Sequence, residues 1–297
     1  MSQCGVALGN AEAAIWDDAT KRRVNLPRPP ILAGIAVSDA GGQDRMTAAV
    51  ARGRAETGSR YFYFYMALAC AAVAFLGFAP TYWRPLASGG LKVNPVIHVH
   101  AAVFFAWVLF FSWQTWLAAS GQVMRHRSVG LVGIAFATAM TIFGTQAAVN
   151  AMKVSAAMGL KDQGIAFSIV PLAGIAFFAV VFVLAIRAVR QPETHKRLML
   201  LASISLLDAA VARWFLTFLA PPGPPGPPPV PVTLAPAFVA YLLLVVAMVH
   251  DWRTRGRPDR VYVVGGAILV GMKLLSWPVS ETAAWHSFAG WLLALAQ

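Results

Sequence analysis

The residues with chemical potential are few. They are six histidines (His98, His100, His126, His195, His250 and His286) and two ionisable residues, Asp208 and Lys273, that stand inside long apolar runs. Neutral imidazoles are metal ligands, and two of them from different helices can hold the iron of a b-type haem. A carboxylate and an ammonium in apolar surroundings can pair, or exchange a proton. The two cysteines, Cys4 and Cys70, form no CxxC, and CxxCH for covalent haem is absent. HExxH, G-x-S-x-G and Walker-type loops are also absent, and six scattered histidines cannot make the HxxH clusters of di-iron membrane hydroxylases.

The elements that must position these residues follow from composition. The chain is 58% hydrophobic and 12% charged, against about 25% charged in soluble domains. Residues 1–60 hold 14 of the 36 charged residues, so the remainder is depleted further. A soluble enzyme, a disordered chain and a disulfide scaffold are excluded, which leaves an all-α polytopic integral membrane helical bundle. A span needs about 20 apolar residues. Seven segments qualify: 61–79, 96–119, 128–149, 166–186, 198–220, 232–250 and 261–279. Each is expected to be a transmembrane helix, because lipid satisfies no backbone hydrogen bond. The net charge of +12 does not indicate nucleic acid, since the basic residues cluster in the tail and in short loops. With the N-terminus cytoplasmic, 18 Lys and Arg fall on the inner side and four on the outer, and without residues 1–45 the ratio is still 13 to four. The positive-inside rule therefore predicts a cytoplasmic N-terminus and an outside C-terminus.

Three regions are expected. Residues 1–60 read as a disordered cytoplasmic tail, with Met46 an alternative start; 61–280 form the seven-helix transmembrane domain; 281–297, with Trp285, Phe288 and Trp291, are too short to span and read as an interfacial segment. The loop PPGPPGPPPVP at 221–231 reads as a stiff polyproline connector on the outer side.

That topology sorts the histidines into two layers. His126, His195 and His250 lie at cytoplasmic span ends; His98, His100 and His286 lie on the outer side. Two layers suit a dihaem protein, while the alternative is plain interfacial residues. A spacing of two on a helix turns His98 and His100 apart. His100 shares a stripe with Val103, Trp107 and Gln114, so His100 and Gln114 are expected to face the bundle and His98 the headgroups. Asp208 is about 15 Å and Lys273 about 18 Å from the cytoplasmic boundary, so the two are expected to pair, either as a register-fixing bridge or as a proton or substrate site. Arg213, five residues beyond Asp208, belongs to another face. A lysine in a seventh span is also a feature of retinal proteins, but 128–149 lacks the acidic counter-ion such proteins carry on their third helix.

The ordered set His100 with Gln114 fourteen residues later, HRSVG at 126–130 and HKRLM at 195–199 with Arg213 beyond it resembles an uncharacterised family of bacterial multipass inner-membrane proteins. That family reads H-x13-Q, then HR-x-x-G, then H-x-R-x-M, over roughly residues 95–215 here. Some of its loose relatives are associated with haem-copper oxidase assembly. The resemblance implies His100, Gln114, His126, Arg127, His195, Arg197 and Arg213 as cofactor-binding residues, with haem b as cofactor. His100, His126 and His195 would be the iron ligands and the arginines would meet the propionates. It also implies the inner (plasma) membrane. Three functions follow: a b-type haem or quinone-linked redox or respiratory accessory protein, a small-solute or proton transporter using Asp208 and Lys273, or a structural or assembly subunit. Its partners would be the lipid bilayer and either respiratory-chain components or a second copy.

Overall fold

The computed structural model describes residues 60–220, 223 and 226–296. The tail expected over 1–60, apart from Arg60, lies outside the described residues, as does the Met46 start. Pro221, Pro222, Pro224 and Pro225 of the connector do too.

The chain is a multi-pass helical membrane bundle. Seven helical segments are long and apolar enough to cross a membrane: Arg60–Gly77, Pro95–Ala119, Val132–Ala157, Lys161–Arg187, Pro192–Leu219, Val230–Arg255 and Arg260–Ser280. No strand occurs among the described residues. We label the helices α1 (Arg60–Gly77), α2 (Pro95–Ala119), α3 (Val123–Gly130), α4 (Val132–Ala157), α5 (Lys161–Phe167), α6 (Ile169–Arg187), α7 (Pro192–Ile204), α8 (Asp208–Trp214), α9 (Leu234–Arg255), α10 (Arg260–Ser280) and α11 (Ala283–Ala294). The fourth span is α5 followed by α6, and the fifth is α7, α8 and a π-helical turn at Phe215–Leu219.

Local chemistry sets several ends. Asn94 caps α2 by accepting from Val96 N–H at 3.0 Å, with Pro95 as the first helical residue. Asp259 caps α10 in the same way through Val261 N–H at 3.0 Å. Gly256 closes α9 at φ 74°, a left-handed conformation that glycine adopts without steric cost.

Residues 128–130, read as the start of the third span, instead belong to the separate short helix α3 (Val123–Gly130). Its sequence VMRHRSVG carries two arginines and a histidine in three consecutive residues, too polar to enter lipid, so the third span begins at Val132.

The bundle packs α6 against α4 and α7, α4 against α2, and α9 against α8 and α10, with α10 also touching α6 and α7. The core is aromatic: Trp107 meets Phe178 edge-to-face at 5.4 Å and Phe182 at 5.8 Å. Small residues allow close crossings, as membrane helices require. A Cβ on Gly77 would stand 2.6 Å from the Ala210 carbonyl oxygen, so α1 and α8 touch backbone to backbone. The outward faces are apolar. On α9 the stripe Leu242, Val245, Val246 and Val249 is exposed at helical spacing, a surface that fits lipid rather than water. The C-terminal α11 lies back on α4 and α5: Ala289 and Leu293 bury against Val149, Met152 and Ile165, and Trp285 Nε1–H donates to Ile165 O at 2.9 Å.

Candidate functional site

Three polar assemblies interrupt this apolar bundle. The first lies where α3 meets the α6–α7 turn. His126 Nδ1 bonds the Gln114 carbonyl at 3.3 Å, and His195 Nδ1 bonds the Ala185 carbonyl at 2.9 Å. A carbonyl only accepts, so each Nδ1 carries its proton. In the neutral rings each Nε2 is then left with a lone pair, which is how backbone carbonyls orient metal-ligating histidines. The two rings are 6.4 Å apart, centroid to centroid, at 75°. Burial first, then the neighbouring His195 and Arg127, hold the His126 ring below the usual imidazole range, and the Gln114 carbonyl offsets this only in part.

Beside this pair lies an unsatisfied amide. Gln114 is buried, and neither its Oε1 nor its Nε2 has a hydrogen-bond partner among the described residues; nor has Trp107 Nε1, two turns away on α2. Gln114 Oε1 is 3.8 Å from where a Cβ on Gly130 would stand, so the glycine four residues after His126 leaves room beside the amide. Orphaned buried polar atoms are rare enough to call for an explanation.

The second assembly is ionic. Arg197 is 2% exposed and donates from every guanidinium nitrogen: Nε to Asp251 Oδ2 at 2.8 Å, Nη2 to Asp251 Oδ1 at 2.6 Å, and Nη1 to Glu193 Oε2 at 2.7 Å and Glu193 O at 2.8 Å. Asp259, 3.7 Å from Arg197 Nε, joins Arg255 at 2.7 Å. Burial alone would raise the Asp259 carboxyl, but Val261 N–H, Arg255 and Arg197 bring it below the usual carboxylate range. Arg197 was expected to meet a propionate; here the fork-to-fork pair with Asp251 clamps α7 to α9, and Asp251 and Glu193 together take four of its five N–H groups. Asp251, Glu193 and Asp259 were missed in the sequence. The available signal was Glu193 four residues before Arg197, a spacing that faces the two on one helix surface.

The third assembly is the midplane pair. Lys273 Nζ donates to Asp208 Oδ2 at 2.8 Å, joining the seventh span to the fifth.

The remaining predicted residues are not drawn together. His100 is on the same helix as Gln114 but about 21 Å along it, near the other membrane face. It packs on Phe104 at 4.2 Å, with Nδ1 buried and unpartnered. His100 was expected to be an iron ligand; among the described residues no other imidazole is seen in contact with it, and His98, the nearest in sequence, is engaged by Tyr82. His98, expected at the headgroups, has its Nδ1 3.1 Å from Tyr82 Oη. Arg127 is exposed at the rim of the histidine pair. Arg213 lies over the Phe78 ring at 5.5 Å, away from the histidine pair. His250 stacks on Phe62 at 3.6 Å. Among the described residues no cluster of three or more His, Cys, Asp or Glu stands ready for a metal ion.

Fold and sites together define a multi-pass helical membrane protein with a paired-imidazole site near one face and an ion pair in its interior. No family model, curated protein or solved structure matches the chain.

Proposed function

We propose that this chain is an inner-membrane b-type haem protein with a redox or respiratory accessory role, and that His126 and His195 hold the iron. The observation that carries the reading is the pair of imidazoles 6.4 Å apart, each with Nδ1–H tied to a carbonyl. Two imidazoles on opposite sides of one iron, with metal–nitrogen bonds of about 2 Å, place their ring centroids roughly 6 Å apart. Two protein ligands are too few for a zinc cage, which takes three or four. They suffice for haem, whose macrocycle brings the other four nitrogens. When bound, haem supplies a one-electron iron centre.

The chain's own residues do the positioning. Gln114 and Ala185 carbonyls fix the ring tautomers. The unpaired Gln114 amide offers a donor and an acceptor beside Gly130. Arg127, exposed at the rim, is the arginine left to meet a propionate. The low proton affinity of His126 keeps its lone pair available at neutral pH. The match to the H-x13-Q, HR-x-x-G and H-x-R-x-M pattern supports the same reading through Gln114, His126, Gly130 and His195. The basic asymmetry of 18 to four supports a cytoplasmic N-terminus, and hence a haem on the cytoplasmic side. Respiratory-chain components are the partners this role implies.

The test is a reduced-minus-oxidised visible spectrum of the full chain, expressed with ample haem and purified in detergent. A b-type spectrum is expected, lost in His126→Ala and in His195→Ala and retained in His100→Ala. A colourless protein overturns the reading.

A further inference from the structure

The Asp208–Lys273 pair sits in a built polar site that the haem reading does not use. Lys273 is 7% and Asp208 19% exposed, and only one hydrogen bond joins them. Asp208 Oδ1 and two of the three Lys273 N–H groups have no protein partner among the described residues. Beside them is a half-open cavity with about 20 Å³ of room, lined by Ser205, Asp208, Tyr241, Lys273 and Ser276 together with apolar residues of the fourth and seventh spans. That is room for one water, and the open oxygen and N–H groups are the polar partners such a water needs.

The fifth span is broken at this point. Between α7 and α8 the ladder tightens to three-residue bonds, Leu207 N–H to Ile204 O at 3.0 Å and Ala210 N–H to Leu207 O at 3.1 Å. Asp208 is the first residue after the break. Irregular backbone at membrane depth is tolerated where it is buried in protein or lines a watered cavity.

From the cavity a polar file runs along one face of α10. Ser276 and Ser280 follow Lys273 at three and seven residues, within about 60° of it around the helix. Both are buried, at 4% and 0% exposure. Ser280 Oγ stands 3.4 Å from Glu281 Oε1, and Glu281 is exposed at the end of the span. The file covers about 12 Å of rise and ends on the arginine-poor face.

We propose that Asp208, Lys273 and one water form a proton-binding site reached from the arginine-poor face through Glu281, Ser280 and Ser276. A proton delivered to the water passes to Asp208 Oδ1: one O–H bond of the protonated water breaks and the Asp208 O–H bond forms. Lys273 keeps its three protons, and its bond to Oδ2 changes from an ion pair to a contact between a charge and a neutral acid. The reverse transfer returns the proton to the water and restores the pair. The titratable groups facing Asp208 are Lys273 from the seventh span and Tyr241 from the sixth. The fourth span presents Ile169, Val170, Ala173 and Gly174, and Arg213 on Asp208's own helix is turned to Phe78.

The experiment is infrared difference spectroscopy of the full chain in liposomes, between neutral and acidic pH. A carboxylic C=O band is expected to appear on acidification, to shift in heavy water and to vanish in Asp208→Asn. In Lys273→Met the band is expected already at neutral pH, because the carboxylate has lost its cation; a merely structural bridge would give no titrating band. Glu281→Cys, at the exposed end of the file and in a background lacking Cys4 and Cys70, is expected to react with a membrane-impermeant thiol reagent from the arginine-poor side only. Spectra unchanged by Asp208→Asn, or labelling only from the arginine-rich side, overturn the proposal. Neither outcome bears on the haem spectrum.

Discussion

Replacing Arg197 by Met isolates the energy of the ionic clamp. Asp251 is fully buried, and its two carboxylate oxygens accept from Arg197 at 2.8 and 2.6 Å. With Arg197 gone, the one remaining donor among the described residues is Asp259 N–H at 3.3 Å. A buried carboxylate so stranded costs about 3–5 kcal/mol. Glu193 adds little to the loss, because its side chain is 56% exposed and water replaces the arginine. Removing both charges, Arg197→Met with Asp251→Leu, strands none and is expected within about 1 kcal/mol of the wild type. The assay is a double-mutant cycle on the full chain, unfolded from mixed micelles by an ionic detergent and followed by helical circular dichroism. The expected coupling is about 3 kcal/mol. Additive losses, with coupling below about 1 kcal/mol, would refute the argument. In the same variant a b-type spectrum is expected unchanged, since Asp251 and Glu193 already take four of the five Arg197 N–H groups; a shifted or lost spectrum in a folded variant would place Arg197 at the cofactor site.

Two further outcomes are expected. Gly77→Ala should destabilise the fold by about 1–3 kcal/mol in the same unfolding assay, because the new Cβ would meet Ala210 backbone at 2.6 Å; Gly174→Ala, with nothing within 4 Å of the new Cβ, is the control expected near neutral or slightly stabilising. Reporter fusions in the 221–231 loop and at the C-terminus should report the outer compartment and one at Gly256 the cytoplasm. A cytoplasmic signal from the 221–231 loop would reverse the orientation.

Hydropathy alone determined the number of spans. Apolar runs of about 20 residues have a single solution in lipid, a helix, so each of the seven segments has its counterpart in the bundle. Loop charge was equally legible as the source of the orientation argument, since it depends on counting rather than on packing. The depths of Asp208 and Lys273 along their helices were readable too, because rise per residue is constant and an isolated charge at that depth calls for a partner. Tertiary structure decided everything that depends on which helix faces which. Arg197 was read with the histidines because it follows His195 by two residues, yet two residues turn a helix through about 200°, and the opposite face met Asp251, 54 residues away. The start of the third span moved to Val132 because 123–130 packs as its own polar helix. His126, which already preceded the predicted 128–149 span, sits on that separate helix, against His195. Such a pairing across 69 residues leaves no periodic trace in the sequence, because it is made by the packing of α2, α3, α6 and α7 together rather than by any one of them.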